Sequence, residues 1–566
     1  MILEELIAVA RGDTPADLLL INAKIVNTFT AEIEDGNVAI YQGYIAGIGD
    51  YRQARQVIDL EDRYLAPGLI NGHMHIESSL LHPAEYAKAV VPRGVSSVVA
   101  DPHEMANVTG LKGIRYLMDC ARRLPLDLYF MTPSCVPATH LETSGAELGA
   151  KEIQTALRWK NMIGLGEMMN FPGVLSRSQE VIEKIRLARG KLVDGHAPGL
   201  SGKDLNAYMA AGIYSDHEST TFEEGREKLR RGMHLMIREG SSEENLDELL
   251  PLIDDKTYRR CFFVVDDRTC ADLLREGDID AVVRKAISRG LDPIRALQLA
   301  TINTAEYFRL YRAGAVAPGY IANLLVIDDL LKLSVDMVFY RGRLVAKDGE
   351  ALFSTLRRTD PEITHTVNIK PFSTEALKMP ASKKSLPVIE IVPGQIITKR
   401  IDTEAKTEEG LIVPDTERDI LKLVVVERHR ANGNIGVGFV KGFGLKNGAL
   451  GSSIAHDSHN IIVVGTNDQD IFAAIKEIEK LQGGLVVAAG GRILGALALP
   501  IAGLLSEEPL EVVVAGLEEL QREASTLGCV LPSPLHTLSF LALPVIPELR
   551  LTDKGLVDVV KFRLLE

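Results

Sequence analysis

From Leu18 to Leu65 the apolar positions come in short runs broken by turn residues: LLLINAKIVN, GNVAIYQGYIAGIG and QVIDLEDRYLAPG. Runs of this length and punctuation predict strands of a small sheet. The same texture returns in GAVAPGYIANLLVIDD from Gly314 and VDMVFYRGRLVAKDG from Val335. Two strand-rich segments that flank a larger unit predict one discontinuous domain, because the chain ends of a compact unit often lie close together. We expect residues 1–66 and 318–365 to form a small β-sandwich.

Between Pro67 and Ala317 the pattern changes to apolar runs separated by longer helix-compatible stretches. With LIN as the first, VSSVVA, LDLYFM, NMIGLGE, KLVDGH, AGIYSDHE, MHLMIREG and RCFFVVDD complete a set of eight. Near-continuous apolar strands covered by helices on their outer faces are what a parallel sheet requires. Eight of them in about 250 residues predict a closed (β/α)₈ barrel, a TIM-like α/β fold, over residues 67–317. Pro and Ser punctuation marks residues 366–390 as a linker, and residues 391–566 mix strands (LKLVVVERH, IIVVGTN) with helices (QDIFAAIKEIEKL, LEELQREAS), as an additional α+β domain does.

Composition narrows the partners. The chain has 566 residues, 46% hydrophobic and 25% charged, and is too long for one core. A formal charge of -14 without a Lys/Arg block argues against nucleic acid. The run Ile493 to Leu505 is interrupted by Pro500 and falls short of the ~20 apolar residues that span a bilayer, so no membrane is expected. The stretch Met1 to Arg11 has no long apolar core, and the five cysteines include no CxxC pair, so a cytoplasmic protein with reduced thiols is the expectation. A homodimer is the default assembly.

The polar residues carry the chemistry. His73 and His75 end the first strand, and an i,i+2 spacing puts both imidazoles on one face. Later strand ends offer Glu167 after IGLG, His196 after LVDG, His217 after IYSD and Asp266 after FFVV. In a barrel these ends converge on one rim. Four imidazoles and two carboxylates exceed one tetrahedral set and suit two adjacent divalent ions, with Glu167 placed in chain order to bridge them. Nitrogen and oxygen donors without thiolate favour Mn²⁺, Fe²⁺ or Zn²⁺ over Ca²⁺ or Mg²⁺. The glycines of GLKNGALGS and VVAAGGRILG match no phosphate loop, and the HxE with PCxxC signature of zinc cytidine-type deaminases is absent.

The runs PGLINGHMHIESS, GLGEMMNFPGV, DGHAPGLSGKDLNAY, GIYSDHEST and VVDDR, with the late GFGLKNGALGSSIAHDSHNIIVVG, resemble the motifs of the metal-dependent amidohydrolase superfamily, and specifically of its bacterial and archaeal adenine deaminases. The resemblance covers nearly the whole chain. It implies hydrolytic deamination of adenine to hypoxanthine, metal-ligand roles for His73, His75, Glu167, His196, His217 and Asp266, and manganese as the usual cofactor, with iron an alternative. The family often has a histidine in a DDRH run where this chain has Thr269, so no role is carried to that imidazole.

For the reaction, Asp266 is the candidate to accept a proton from the attacking water and pass it to the leaving ammonia. Glu77, in HMHIESS, either relays a proton to a ring nitrogen or orients a ligand histidine. His103, Glu104 and Asp267 share the reactive rim as substrate-binding or supporting residues. His456, Asp457, His459 and Asn460 suggest that the last domain reaches over the barrel mouth and excludes water. The rival reading is another amidohydrolase reaction, such as cyclic amide hydrolysis or N-acetyl sugar deacetylation. The sequence LVDGH offers no lysine as a carboxylated bridge, and those reactions leave the HDSHN run unexplained.

Overall fold

A computed structural model describes residues 3–355, 360–381 and 385–565. The eight apolar runs form eight parallel strands. Leu69–Met74, Val95–Ala100, Asp127–Thr132, Met162–Met168 and Leu192–Gly195 pair in that order, and Ser215–Asp216, His234–Arg238 and Cys261–Val264 continue the circuit. The amide of Gly195 donates to Ser215 Oγ at 3.1 Å and links the two arcs. A Cβ on Gly195 would lie 2.0 Å from the Ser215 carbonyl, so only glycine lets the strands approach there. The last strand returns to the first: His75 N donates to Asp266 O at 3.1 Å and Asp266 N to His73 O at 3.0 Å.

The strand interiors are apolar on both faces. Ile70, Val99, Met131, Met236, Phe262 and Val264 fill the barrel. Outward residues such as Leu69, Val98, Leu128 and Phe263 meet the surrounding helices. The flanking segments form one nine-stranded sheet around a core that includes Leu20, Ile25, Val38, Leu65, Leu324 and Phe339. All five cysteines are buried and none forms a disulfide. Among the described residues no helix is long and apolar enough to cross a membrane.

The C-terminal domain is built on an eight-stranded sheet with the helix Asp468–Leu481 packed on it through Ile471, Ala474, Ile475 and Ile478. The linker expectation needs correction. Ser385–Ile391 is a strand of this sheet, paired with Thr398–Glu404 and Ile435–Lys441, and Val367 and Leu377 are buried in the domain's core. Leu386 and Val388 pack on one face of that strand and Ile389 on the other, but Pro387 and the preceding serines read as punctuation. Residues 356–359 of the expected second β segment and 382–384 of the expected linker lie outside the described residues.

The domain docks on the loop that follows the third barrel strand. Thr143 N donates to Asp553 Oδ1 at 2.9 Å, Thr552 Oγ1 to Leu141 O at 2.7 Å, and Asn460 Nδ2 to Thr143 O at 2.8 Å. Behind this seam the fully buried guanidinium of Arg428 donates to the carbonyls of His459 and of Ala502, the latter at 3.0 Å, and to Thr366 Oγ1 at 3.2 Å. Replacing it with a side chain that cannot donate strands those carbonyls at about 1–3 kcal/mol each. Arg428→Met should therefore lower the unfolding temperature of the C-terminal domain in calorimetry; an unchanged transition would mean that water substitutes for the guanidinium.

Candidate metal centre

Barrel closure places the first three ligand candidates. His73 and His75 project from the end of the first strand with ring centroids 4.9 Å apart. Nδ1 of His75 lies 2.9 Å from the Asp101 carbonyl, an arrangement that puts the proton on Nδ1 and leaves Nε2 as a lone pair. Asp266, held at φ +63 by its backbone bonds to the first strand, turns Oδ1 to both rings: 3.2 Å from His73 Nε2 and 3.0 Å from His75 Nε2. Its Oδ2 accepts from Arg238 at 2.8 Å.

Glu167 stands at the centre. Its amide donates to Asp101 Oδ2 at 3.0 Å, and a Cβ on the preceding Gly166 would fall 1.9 Å from that oxygen, which explains the glycine in GLGE. The two carboxylate oxygens face different histidine pairs. Oε1 lies 3.4 Å from His75 Nε2 and 3.4 Å from His103 Nδ1, whereas Oε2 lies 3.0 Å from His196 Nδ1 and 3.2 Å from His217 Nε2. Glu167 thus lies between two histidine pairs, each of its oxygens facing one of them. Glu218 adds a carboxylate 3.3 Å from His217 Nε2 and pairs with Arg238.

Buried charges shape the electrostatics. Burial opposes ionisation of Glu167, yet contacts from His196 and His217 hold its carboxyl well below the usual range. Asp266 is likewise held down, against burial, by His73, His75 and Arg238. In return His75 and His217 are raised well above an ordinary imidazole despite burial, by Asp266 and Glu167 respectively. Burial and the neighbouring His217 lower His73 to about 4. Nε2 of His73, Nδ1 of His103 and Nδ1 of His217 are buried without a hydrogen-bond partner. Of these, Nε2 of His73 and Nδ1 of His103 face carboxylates, as in a cation-binding donor set, and four triads of such donors lie within 4.8 Å: His73/His75/Asp266, His73/Glu167/His217, His75/His103/Glu167 and His196/His217/Glu218.

The remaining sequence candidates fall around this centre. Glu77 Oε1 accepts from Met105 N at 3.0 Å, its Oε2 has no partner, and burial raises its carboxyl to about 7. Glu104 receives His103 Nε2 at 3.3 Å and His456 Nδ1 at 2.7 Å on Oε1, and His459 Nε2 on Oε2. Asp267 pairs with Ser78. Asp457 is buried, which raises its carboxyl to about 6, and Asn460 makes the seam contact with Thr143. Glu77, Glu104, Asp267, His456, His459 and His536 line one cavity of about 120 Å³ between the barrel rim and the C-terminal domain. Sequence reasoning missed Asp101, Glu218, Arg238 and His536. The first three had a signal, since each ends or follows an apolar run on the same rim; His536, in the helix Pro534–Phe540, had none.

Comparison with known proteins agrees in both halves of the chain. Residues 64–345 match the amidohydrolase family, and residues 395–563 match the adenine deaminase C-terminal domain. An adenine deaminase of Dehalococcoides mccartyi strain BAV1 is 58% identical over 563 residues, covering 100% of this chain and 99% of that protein. Adenine deaminase 2 of Carboxydothermus hydrogenoformans is 50% identical over 561 residues, 99% of this chain and 98% of that protein. Among solved structures, enamidase, a member of the amidohydrolase superfamily, covers 60% of this chain and 97% of its own at 16% identity, with a TM-score of 0.46. The chain belongs to the adenine deaminases of the amidohydrolase family.

Proposed function

We propose that the family's reaction, hydrolytic deamination of adenine to hypoxanthine and ammonia, takes place where the Glu167 carboxylate lies between two histidine pairs. The observation that carries this reading is that arrangement, with each oxygen of one buried carboxylate facing its own two imidazoles beside a cavity roofed by the C-terminal domain. His73, His75 and Asp266 would hold one ion and His196 and His217 the other, with Glu167 shared. We take manganese as the native ion, with iron and zinc able to replace it. Divalent ions bound there would supply the nucleophile by lowering the pKa of water from about 15.7 toward neutrality.

The chain's own groups do the rest. Water adds to the amino-bearing ring carbon, the C–N bond breaks, and the water's protons leave with ammonia and on the product. Asp266 is positioned to accept the first proton: Arg238 fixes Oδ2, and Oδ1 faces the histidines. Arg238 also keeps Asp266 ionised, so that it arrives as a base. Glu77, raised to about 7, is protonated in a good fraction of molecules near neutral pH and can donate to a ring nitrogen as the carbon becomes tetrahedral. The C-terminal domain excludes bulk water, which strengthens these electrostatics.

An assay of ammonia release across adenine, adenosine, cytosine and hydantoins, with metal restored to stripped protein, tests the substrate assignment; adenine should be preferred by a wide margin. Fully reconstituted protein should carry more than one divalent ion per chain by elemental analysis, and maximal activity with a single ion would refute the shared site. Asp266→Asn should retain much of its metal and lose at least ~100-fold in kcat. Wild-type turnover in that variant would move the proton acceptor elsewhere.

Metal binding should also release protons. Without ions, His75 and His217 are raised well above 6.5 and so bear protons at neutral pH, and a metal must displace them. Apparent affinity should therefore climb as pH rises through neutrality, and the calorimetric heat of manganese binding should vary with the ionisation enthalpy of the buffer. A buffer-independent heat at pH 7 would show that the histidines are already neutral.

A further inference from the structure

His103 and Glu104 are not needed for the six-ligand centre, yet both are buried beside it. His103 opens the helix His103–Thr109, directly after the second barrel strand and Asp101–Pro102. Asn107 Nδ2 donates to its carbonyl at 3.0 Å, and Glu77 holds the amide of Met105, so the first turn is fixed. The two ring nitrogens face opposite ways. Nδ1 has no hydrogen-bond partner and lies 3.4 Å from Glu167 Oε1, the oxygen that His75 Nε2 also approaches at 3.4 Å. Nε2 lies 3.3 Å from Glu104 Oε1.

Glu104 is in turn clamped by the C-terminal domain, through His456 Nδ1 and His459 Nε2. A separate ion held by Glu104, His456 and His459 is the obvious alternative, and the tautomer of His459 argues against it. Nδ1 of His459 accepts the Ala455 amide at 3.3 Å, so a neutral ring carries its proton on Nε2, the nitrogen that faces Glu104. That nitrogen is a donor to the carboxylate and has no lone pair for a metal.

We propose that His103 is a direct ligand of the metal centre through Nδ1, sharing an ion with His75 and Glu167. Glu104 is its positioning residue, and the C-terminal domain sets that ion's retention by clamping Glu104. A carboxylate on the far nitrogen of a ligating imidazole fixes its tautomer and raises its basicity, and loss of such a partner typically weakens metal binding by ~10–100-fold. Here that partner is secured from another domain across the seam. The inference rests on the metal centre proposed above.

The test measures manganese affinity by chelator competition, together with ions per chain, in wild type, Glu104→Gln, His459→Asn, His217→Ala and Lys554→Ala. Lys554 bonds the His140 carbonyl at the same seam without touching the relay, so its variant should keep wild-type affinity. Glu104→Gln and His459→Asn should each lose ~10–100-fold in affinity for one ion. If His217→Ala loses metal while those two bind it as wild type does, the centre stands and this proposal falls. If His217→Ala also binds as wild type does, both fall. Equal losses in Lys554→Ala would attribute the effect to a loosened seam and overturn the relay. Anomalous scattering from manganese in wild-type crystals decides independently of any variant's folding: an ion within coordination distance of His103 Nδ1 is expected, and its absence at full occupancy of the centre overturns the assignment.

Discussion

The site depends on one piece of backbone pairing, the return of the eighth strand to the first. Two hydrogen bonds, from His75 N to Asp266 O and from Asp266 N to His73 O, close the barrel. The same three residues aim their side chains at one point. Because side chains on a strand alternate faces, a shift of one residue in this register would turn both imidazoles away from the carboxylate together. Closure of the fold therefore also brings the side chains of His73, His75 and Asp266, three of the candidate ligands, together. Asp266 takes a positive φ to achieve it, an uncommon conformation for a residue other than glycine and one that the surrounding pairing must hold.

The rest of the rim compensates the charge that this geometry concentrates. Ionised carboxylates in a buried site are tolerated only when paired and hydrogen-bonded. Arg238 joins Asp266 to Glu218, and the buried Lys228 joins Asp216 Oδ2 to Glu224, each at 2.8 Å, while donating to the Ala197 carbonyl. Lys228 thereby braces the strand ends that carry His196 and His217. His75 and His217, raised by Asp266 and Glu167 respectively, add positive charge to the site, and a metal would compete with protons for their nitrogens.

Much of this was legible in the sequence, because barrel strands announce themselves twice. Each is a short apolar run, and each ends in a polar residue that must lie on the common rim; that rule alone brings His73, His75, Glu167, His196, His217 and Asp266 together. It also explains the omissions. Arg238 and Glu218 obey the same rule, but one ends MHLMIREG as an unremarkable cation and the other follows a histidine already taken as the ligand. Asp101 also follows an apolar run, VSSVVA, but it acts through its carbonyl and through one oxygen under Glu167, so its place at the site shows only in the structure. His536 belongs to a helix with no sequence link to the barrel, so its place beside the cavity depends on domain docking, which no local pattern encodes. Ser385–Ile391 was hidden for a simpler reason: a strand containing proline looks like a break unless its pairing partners are known.

Domain docking also answers why a barrel of this kind needs a cover from elsewhere. Its strand-to-helix connections near the centre are short: Val95–Ala100 reaches the helix His103–Thr109 through Asp101 and Pro102, and Met162–Met168 reaches Phe171–Leu175 through Met169 and Asn170. Such connections hold their side chains firmly, since their residues are tied to the strand before and the helix after. They are too short to fold over a substrate. The long connection after the third strand could have formed a lid, but its backbone is committed to the C-terminal domain through Leu141, Thr143 and His140. It serves as the platform on which the covering domain rests. Rigid ligand placement and enclosure are thus divided between two parts of the chain, and the bonds from His456 and His459 to Glu104 are where the covering part reaches back to the ligand-bearing one.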